Sequence, residues 1–113
     1  MDYSKYLYEI VNSLKELDIF KIILIGSYAK NNPREDSELD IVVILDEETI
    51  SRTYKERFER KLKVRRKIYS ISEIIPIDLI VYTKAEFKMI NNQHTSFSNE
   101  IAATGHTLYE KAS

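Results

Sequence analysis

Three acidic residues stand where strand patterns bring carboxylates together. Glu38 and Asp40 open an apolar run that ends at Leu45, and as residues i and i+2 of a strand they project from the same face. Asp78 lies within residues 74–81, where the other seven positions are apolar or proline. An ionised carboxylate buried there without a partner is strongly destabilising, so a basic side chain or a divalent cation is expected to compensate it.

A cation shared by Glu38, Asp40 and Asp78 would also relieve the repulsion between the first two carboxylates. Oxygen ligands without histidine or cysteine favour Mg²⁺ or Mn²⁺ over zinc. The alternative for Glu38 and Asp40 is that both are solvated charges at a sheet edge.

A glycine and a serine, Gly26 and Ser27, follow the first apolar run of the chain. Glycine lets the backbone approach a phosphate closely, and a helix that begins here would direct unpaired N–H groups towards it. By itself the pair is more often an ordinary turn in which serine caps a helix. Beside three carboxylates it predicts metal-assisted phosphoryl or nucleotidyl transfer, in which two ions can clamp the attacking and leaving oxygens.

Hydrophobic periodicity predicts the elements that position these residues. Residues 3–17 have the spacing of an amphipathic helix, and residues 20–25 form a short strand buried on both faces. Residues 27–32 leave room for one or two helical turns, and a polar loop covers residues 31–37. Residues 38–45 are the second strand.

A long charged helix is predicted to follow the acidic and capping residues 46–49 and to extend to about residue 70. Phe58, Leu62, Val64 and Ile68 are expected on its inner side. Between residues 52 and 67 it carries nine basic residues against two acidic ones. We interpret this face as solvated and supported by glutamate–basic pairs four residues apart. The alternative is a surface for a partner protein or a nucleic acid.

The C-terminal third predicts one more strand and two short helices. The strand covers residues 74–82, with Pro76 at its start or on an edge. Helices are expected at residues 84–90 and 100–104, with a loop between them. Gly105 in a left-handed conformation is expected to end the second helix, and a terminal strand is expected at Leu108 and Tyr109. Strands and helices in this order predict an α/β (α+β) fold with a mixed sheet of about four strands flanked by helices.

Composition narrows the class of protein. A chain of 113 residues, 43% hydrophobic and 31% charged, is expected to form a single domain over residues 1–113. Seventeen basic against eighteen acidic residues argue, on charge grounds, against a dedicated nucleic-acid binder. The absence of cysteine excludes a disulfide scaffold and a thiol nucleophile and favours a cytoplasmic location. The longest apolar runs are far shorter than the roughly 20 residues of a membrane helix.

Four ordered segments resemble the minimal nucleotidyltransferases of the DNA polymerase beta superfamily. The resemblance spans nearly the whole chain and is more specific than any single motif. The segments are Gly26-Ser27-Tyr28-Ala29-Lys30, Asp36-Ser37-Glu38-Leu39-Asp40-Ile41, Pro76-Ile77-Asp78-Leu79-Ile80, and Glu100-Ile101-Ala102-Ala103-Thr104-Gly105 with Leu108-Tyr109-Glu110.

The resemblance implies a role for each matching residue. Gly26 and Ser27, with Lys30 nearby, would hold the phosphates of ATP or another nucleoside triphosphate. Glu38 and Asp40 would ligate Mg²⁺ or Mn²⁺. Asp78 would complete the metal site and favour deprotonation of the acceptor hydroxyl.

Three departures from the family pattern matter. The family usually has Arg-Gly where this chain has Lys30 and Asn31, which keeps a cation and supplies the residue next best to glycine at positive φ. The first metal-binding acid is usually aspartate, and Glu38 adds one methylene. The additional helical domain that larger relatives use to complete an acceptor pocket does not follow the core.

Another chain is therefore expected to complete the acceptor side. The resemblance implies a small all-helical HEPN protein, a toxin that the nucleotidyltransferase neutralises as its antitoxin, in some cases by adding AMP. The two candidate docking surfaces are the basic helix and the first helix with Tyr3, Tyr6 and Tyr8, whose rings core packing explains equally well. A small-molecule acceptor, a homo-oligomer and a catalytically degenerate module that neutralises a partner by binding alone are the alternatives.

Overall fold

Four strands form one mixed sheet in the computed structural model, which describes residues 3–112. Their order across the sheet is β3-β2-β1-β4. Strand β1 pairs antiparallel with both β2 and β4, whereas β2 and β3 run parallel. The predicted α/β (α+β) fold with a mixed sheet flanked by helices is confirmed. The strands are β1 (Ile19–Ile25), β2 (Leu39–Leu45), β3 (Ile77–Thr83) and β4 (His106–Glu110).

Helices connect and cover these strands. They are α1 (Ser4–Leu14), α2 (Gly26–Ala29), α3 (Tyr54–Lys67), α4 (Tyr69–Ser72), α5 (Lys84–Asn92) and α6 (Ser96–Thr104). Threonine hydroxyls at Thr53, Thr83 and Thr95 accept the backbone N–H three residues on, which fixes where α3, α5 and α6 begin. Within residues 3–112, none of these helices is both long and apolar enough to cross a membrane.

The two faces of the sheet bury two separate apolar clusters. Alternate residues of β2 point to opposite faces, so Ile41 and Val43 pack with Val64 and Ile68 on one side. Val42 and Ile44 pack with Ile101 of α6 on the other side. Because β2 is apolar on both faces, the sheet is buried between helices rather than exposed on one side.

The charged segment differs from its prediction in three ways. The helix breaks at Ile68, whose backbone angles of φ −115° and ψ 13° separate α3 from α4. Phe58 was wrongly predicted to face inward and is 50% exposed, because Val64 and Ile68 take the buried face. Arg60 pairs with Glu47 outside the helix, at 3.3 Å, rather than with a glutamate one turn away.

The C-terminal third also differs from its prediction. Strand β3 begins at Ile77 because the preceding residues, including Ile75, close the short helix α4. Helix α6 begins at Ser96 within the predicted loop, since Thr95 caps it. Gly105 is not left-handed: its φ is −69°, and glycine fits because a Cβ would lie 2.5 Å from the carbonyl oxygen of Ile101.

Candidate functional site

Three carboxylates converge at the end of the sheet where β1 ends and where β2 and β3 begin. One oxygen each from Glu38, Asp40 and Asp78 lies within 4.8 Å of the other two. Strand pairing explains the convergence, because Asp40 lies opposite Ile25 on one side and opposite Asp78 on the other. We refer to Glu38, Asp40 and Asp78 as the acidic triad.

One backbone hydrogen bond fixes the register between the two acidic strands. The N–H of Leu39 donates to the carbonyl oxygen of Pro76, at 2.9 Å, just before β3 begins. Proline contributes this acceptor without needing a partner for an N–H of its own. Pro76 therefore stands at a strand start, as predicted, and sets Asp40 and Asp78 side by side.

Gly26 lies against the acidic triad. Its φ of +77° falls in the left-handed region that favours glycine. A Cβ at this position would overlap the carboxylate of Asp40. The glycine thus allows both the turn after β1 and the close approach of that turn to a triad carboxylate.

Ser27 is not a helix cap, contrary to the simpler sequence interpretation. Ile25 occupies the cap position of α2 and provides no side-chain hydrogen bond. The hydroxyl of Ser27 instead donates to the hydroxyl of Ser37, at 3.1 Å, and Ser37 also accepts the N–H of Arg34 at 2.7 Å. The serine therefore ties the turn after β1 to the loop that leads to Glu38.

Tyr3, at the start of α1, packs against Tyr28, which follows the Gly26-Ser27 turn. The ring of Tyr3 meets that of Tyr28 edge-on, with 4.7 Å between the ring centroids. Tyr6 packs partly buried against the core, whereas Tyr8 is 71% exposed. Tyr3 and Tyr6 thus serve packing, which leaves little of the proposed docking surface on α1.

Asn31 ends the turn that begins at Gly26. Its φ is 55°, the positive φ predicted for it.

Lys30 and Glu100 form an exposed ion pair beside the triad, with 3.8 Å between Nζ and Oε1. Glu100 also interacts electrostatically with Asp40. The sequence placed Glu100 in the closing motif but assigned it no role. A phosphate held by Lys30 would have to compete with this carboxylate.

The carboxyl of Asp40 has a raised pKa. Burial raises the pKa of its carboxyl above the ordinary value, and the nearby charges of Asp78, Glu38 and Glu100 raise it further. Asp78, by contrast, is exposed at the start of β3, so burial is not what demands a counter-charge there. Instead, the mutual repulsion of the three triad carboxylates is what a counter-charge would relieve.

No lysine or arginine within residues 3–112 forms an ion pair with a triad carboxylate. Of the two compensating groups expected from the sequence, a basic side chain is thus not found at the triad among residues 3–112, and the divalent cation stays a prediction. Carboxylate oxygens from three residues fit the ligand preference of Mg²⁺ or Mn²⁺.

Comparison with known proteins identifies related sequences and structures. The family model described as a nucleotidyltransferase domain matches residues 7–103. No curated protein matches the chain. A crystal structure of a toxin–antitoxin with AMP-PNP is 18% identical, covers 93% of this chain and 73% of its own, and has a TM-score of 0.58.

Two further crystal structures are of the MntA–HpeT toxin–antitoxin. A variant with two aspartates replaced by glutamates is 19% identical, with 93% and 73% of the two chains covered and a TM-score of 0.58. A tyrosine-to-alanine variant is 16% identical, with 98% and 74% covered and a TM-score of 0.51. At these identities the likeness establishes a shared fold.

Proposed function

Because the chain belongs to the nucleotidyltransferase domain family, we propose that it transfers AMP from ATP to a hydroxyl of a partner protein and thereby acts as an antitoxin. The observation that carries the proposal is the convergence of three carboxylate oxygens within 4.8 Å, directly beside Gly26. A divalent cation held there would neutralise the triphosphate and polarise the phosphorus under attack.

Each residue of the site has a distinct part in this proposal. Gly26 and Ser27 bind the terminal phosphates through backbone N–H groups and a hydroxyl. Asp40, together with Glu38 and Asp78, would hold the divalent cation, which would supply positive charge at the reacting phosphate. Asp78 accepts a hydrogen bond from the acceptor hydroxyl and favours loss of its proton.

The bond changes follow from this placement. The acceptor oxygen forms a bond to the α-phosphorus of ATP as the bond from that phosphorus to the bridging oxygen breaks. Pyrophosphate leaves, and the hydroxyl proton passes to solvent on the Asp78 side. The chain's own contribution is alignment of the acceptor with the triphosphate, and the cation that the triad would hold supplies the charge neutralisation.

Helix α3 supports the proposal that the acceptor belongs to a protein partner. Tyr54 is 82% exposed and Phe58 50% exposed, and their stacked rings lie 6.3 Å apart between centroids. Exposed aromatic rings on a basic helix are typical of a binding surface. The fold neighbours are toxin–antitoxins, and the resemblance implies a helical HEPN toxin as the partner.

The decisive experiment mixes the purified protein with labelled ATP and Mg²⁺, with and without the product of the adjacent gene. We expect label on the partner, and we expect Asp40→Asn to abolish it. Asp36→Asn is the matched control, because Asp36 is an exposed acid in the loop outside the triad. Equal labelling by Asp40→Asn and the unaltered chain would reject the mechanism.

A second candidate function rests on Glu38. Its additional methylene, compared with the aspartate usual in the family, changes where its oxygen can meet a cation. If Glu38 does not hold the cation in a position that supports transfer, the protein neutralises its partner by binding alone. Partner neutralisation that persists without ATP, and with Asp40→Asn, would favour this function.

A further inference from the structure

An ion pair joins helix α6 to the segment that follows the Gly26-Ser27 turn. Nζ of Lys30 lies 3.8 Å from Oε1 of Glu100, and the two side chains are 51% and 41% exposed. Within residues 3–112, neither side chain forms an ion pair with any other residue. The pair therefore joins a cation beside the proposed phosphate site to a carboxylate outside the acidic triad.

Backbone structure anchors both ends of this pair. The N–H of Lys30 donates to the carbonyl oxygen of Gly26 at 3.1 Å, which closes the single turn of α2. Glu100 directly precedes Ile101, whose buried side chain packs α6 against β1 and β2. Opening of the pair therefore needs movement of two side chains only, and neither backbone segment has to shift.

Glu100 lies on the face of the sheet to which the central triad carboxylate points. Asp40 and Val42 are two residues apart on β2 and so share a face, and Val42 packs with Ile101 of α6. The charge of Glu100 accordingly helps to raise the pKa of Asp40, whereas Lys30 is not among the groups that shift it. The ammonium group of Lys30 is thus associated with Glu100 and not with the triad.

The pair between Lys30 and Glu100 is weak enough to be exchanged for a stronger contact. Its length of 3.8 Å is beyond hydrogen-bond range, whereas Nζ of Lys67 donates to Glu16 at 2.6 Å. Exposed ion pairs add little to stability, because solvent screens them. A triphosphate presents several negatively charged oxygens to the same ammonium group and therefore competes effectively for it.

We propose that Glu100 is a positioning residue for Lys30, which pairs with the ammonium group before nucleotide binds and releases it to a phosphate of the incoming triphosphate. The nucleotide in this statement rests on the proposed function. The exchange requires neither the acceptor nor the transfer step. Glu100 thereby lowers the affinity for nucleotide by the free energy of the pair that must open.

The test is a titration of the full chain with ATP, with a chelator present, followed by residue-resolved NMR. Glu100→Gln should lower the dissociation constant of ATP roughly threefold, the factor expected when an exposed ion pair no longer competes. Glu110→Gln is the matched control. Glu110 forms an exposed pair with Lys21 at 3.6 Å, towards the opposite end of β1 from the turn, so its loss should leave the affinity unchanged.

Double variants separate an effect through Lys30 from a general effect of charge. Glu100→Gln should not tighten ATP binding in a Lys30→Gln chain, because no pair is left to open. It should tighten binding in a Lys30→Arg chain, whose guanidinium keeps the charge that pairs with Glu100. ATP should also move the carboxylate carbon signal of Glu100 towards its position in Lys30→Gln, since both conditions open the pair.

Several results would overturn the proposal. Unchanged affinity in Glu100→Gln would show that the pair does not compete with ATP. An equal gain from Glu100→Gln with and without Lys30 would indicate diffuse repulsion of the triphosphate, and an equal gain from Glu110→Gln would indicate an effect of net charge. ATP that leaves the signals of Lys30 and Glu100 unshifted would show that no exchange takes place.

The titration contains neither an acceptor nor divalent metal, so its outcome is independent of AMP transfer. Exchange of Lys30 from Glu100 to ATP, in a chain that transfers nothing, would uphold the role of Glu100 and reject the proposed function. Transfer by a chain whose affinity for ATP does not respond to Glu100→Gln would uphold the proposed function and reject the role of Glu100.

Discussion

No side chain fits between Gly26 and the carboxylate of Asp40. The glycine has a φ of +77°, and a Cβ built on it would overlap the carboxylate. The turn proposed to hold phosphates and the central acid of the triad are thus in direct contact. Any movement of one must displace the other.

Replacement of Gly26 by alanine tests this contact. We expect Gly26→Ala to lower the free energy of unfolding by roughly 2–3 kcal/mol, since it adds both a left-handed backbone penalty and a steric overlap. Nucleotide transfer should be lost. Urea denaturation and the labelled-ATP assay measure the two effects. Ser27→Ala, which removes one hydroxyl contact, should cost about 1 kcal/mol, and an equal cost in both variants would contradict the argument.

The raised pKa of Asp40 predicts that the charged carboxylate, which the proposed transfer requires, destabilises the metal-free protein. A carboxyl whose folded pKa is raised contributes stability below its unfolded pKa and loses it as pH rises through the folded pKa. Metal-free protein should therefore lose stability as pH rises above about 4, and Asp40→Asn should not. At pH 7 we expect the variant to melt a few degrees higher than the unaltered chain.

Added Mg²⁺ should reverse that ranking, because a cation stabilises only the chain that retains its ligands. Thermal melts with chelator and with Mg²⁺ make the comparison. A metal-induced shift of equal size in Asp40→Asn would argue against the triad as the binding site.

Glu38 decides between the catalytic and the binding-only function. Glu38→Asp should retain or increase AMP transfer, whereas Glu38→Gln should reduce it by at least tenfold through loss of a charged ligand. Initial rates with labelled ATP provide the measurement. Transfer that is absent from the unaltered chain but present in Glu38→Asp would identify a degenerate site.

Glu86 predicts acid sensitivity away from the site. Burial raises the pKa of its carboxyl, but N–H groups of Thr83 at 2.8 Å and Ser51 at 2.9 Å outweigh this and hold the pKa below its ordinary value. Such a group stabilises the fold above its unfolded pKa, so stability should fall as pH drops below about 4.3.

Glu86→Gln replaces one acceptor oxygen with a donor and should cost roughly 1–3 kcal/mol at pH 7. Urea denaturation between pH 3 and pH 7 should show a weaker pH dependence in this variant. Glu59→Gln alters an exposed carboxyl that makes no hydrogen bond or ion pair in residues 3–112 and serves as control. Equal losses in the two variants would refute the role of Glu86.

The exposed pair on α3 predicts where the partner docks. Tyr54→Ser with Phe58→Ser should weaken partner binding at least tenfold and change the free energy of unfolding by no more than about 0.5 kcal/mol. Tyr8→Ser, at the 71% exposed ring of α1, should leave binding unchanged. Pull-downs at low and physiological salt should also show weaker retention as salt rises, because α3 is basic. Salt-independent binding lost through Tyr8→Ser would assign docking to α1 instead.

The acidic triad could be predicted because its spacing matched the geometry of strands. Glu38 and Asp40 are two residues apart, so a strand places them on one face regardless of its surroundings. Gly26 could be predicted because few other residues tolerate a left-handed turn. Asn31 followed for the same reason, and its φ of 55° agrees.

The hydrophobic pattern predicted the wrong buried residue where two apolar residues of one helix could both face the core. Phe58 and Val64 both suit the inner side of a helix, but only Val64 meets the sheet. The close approach of Gly105 to Ile23 of β1 is likewise invisible in sequence, since a Cβ on the glycine would lie 3.0 Å from that side chain of a distant strand.

The sequence by itself determined the strand-bound acids, the turn at Gly26 and the mixed sheet, because each depends on residue type and short-range spacing. Only the tertiary structure decided that Asp78 lies opposite Asp40 in the sheet and that Glu100 lies close enough to interact electrostatically with Asp40. Those relations join residues distant in the chain. Packing of helices on the sheet sets them, and no local pattern encodes that packing.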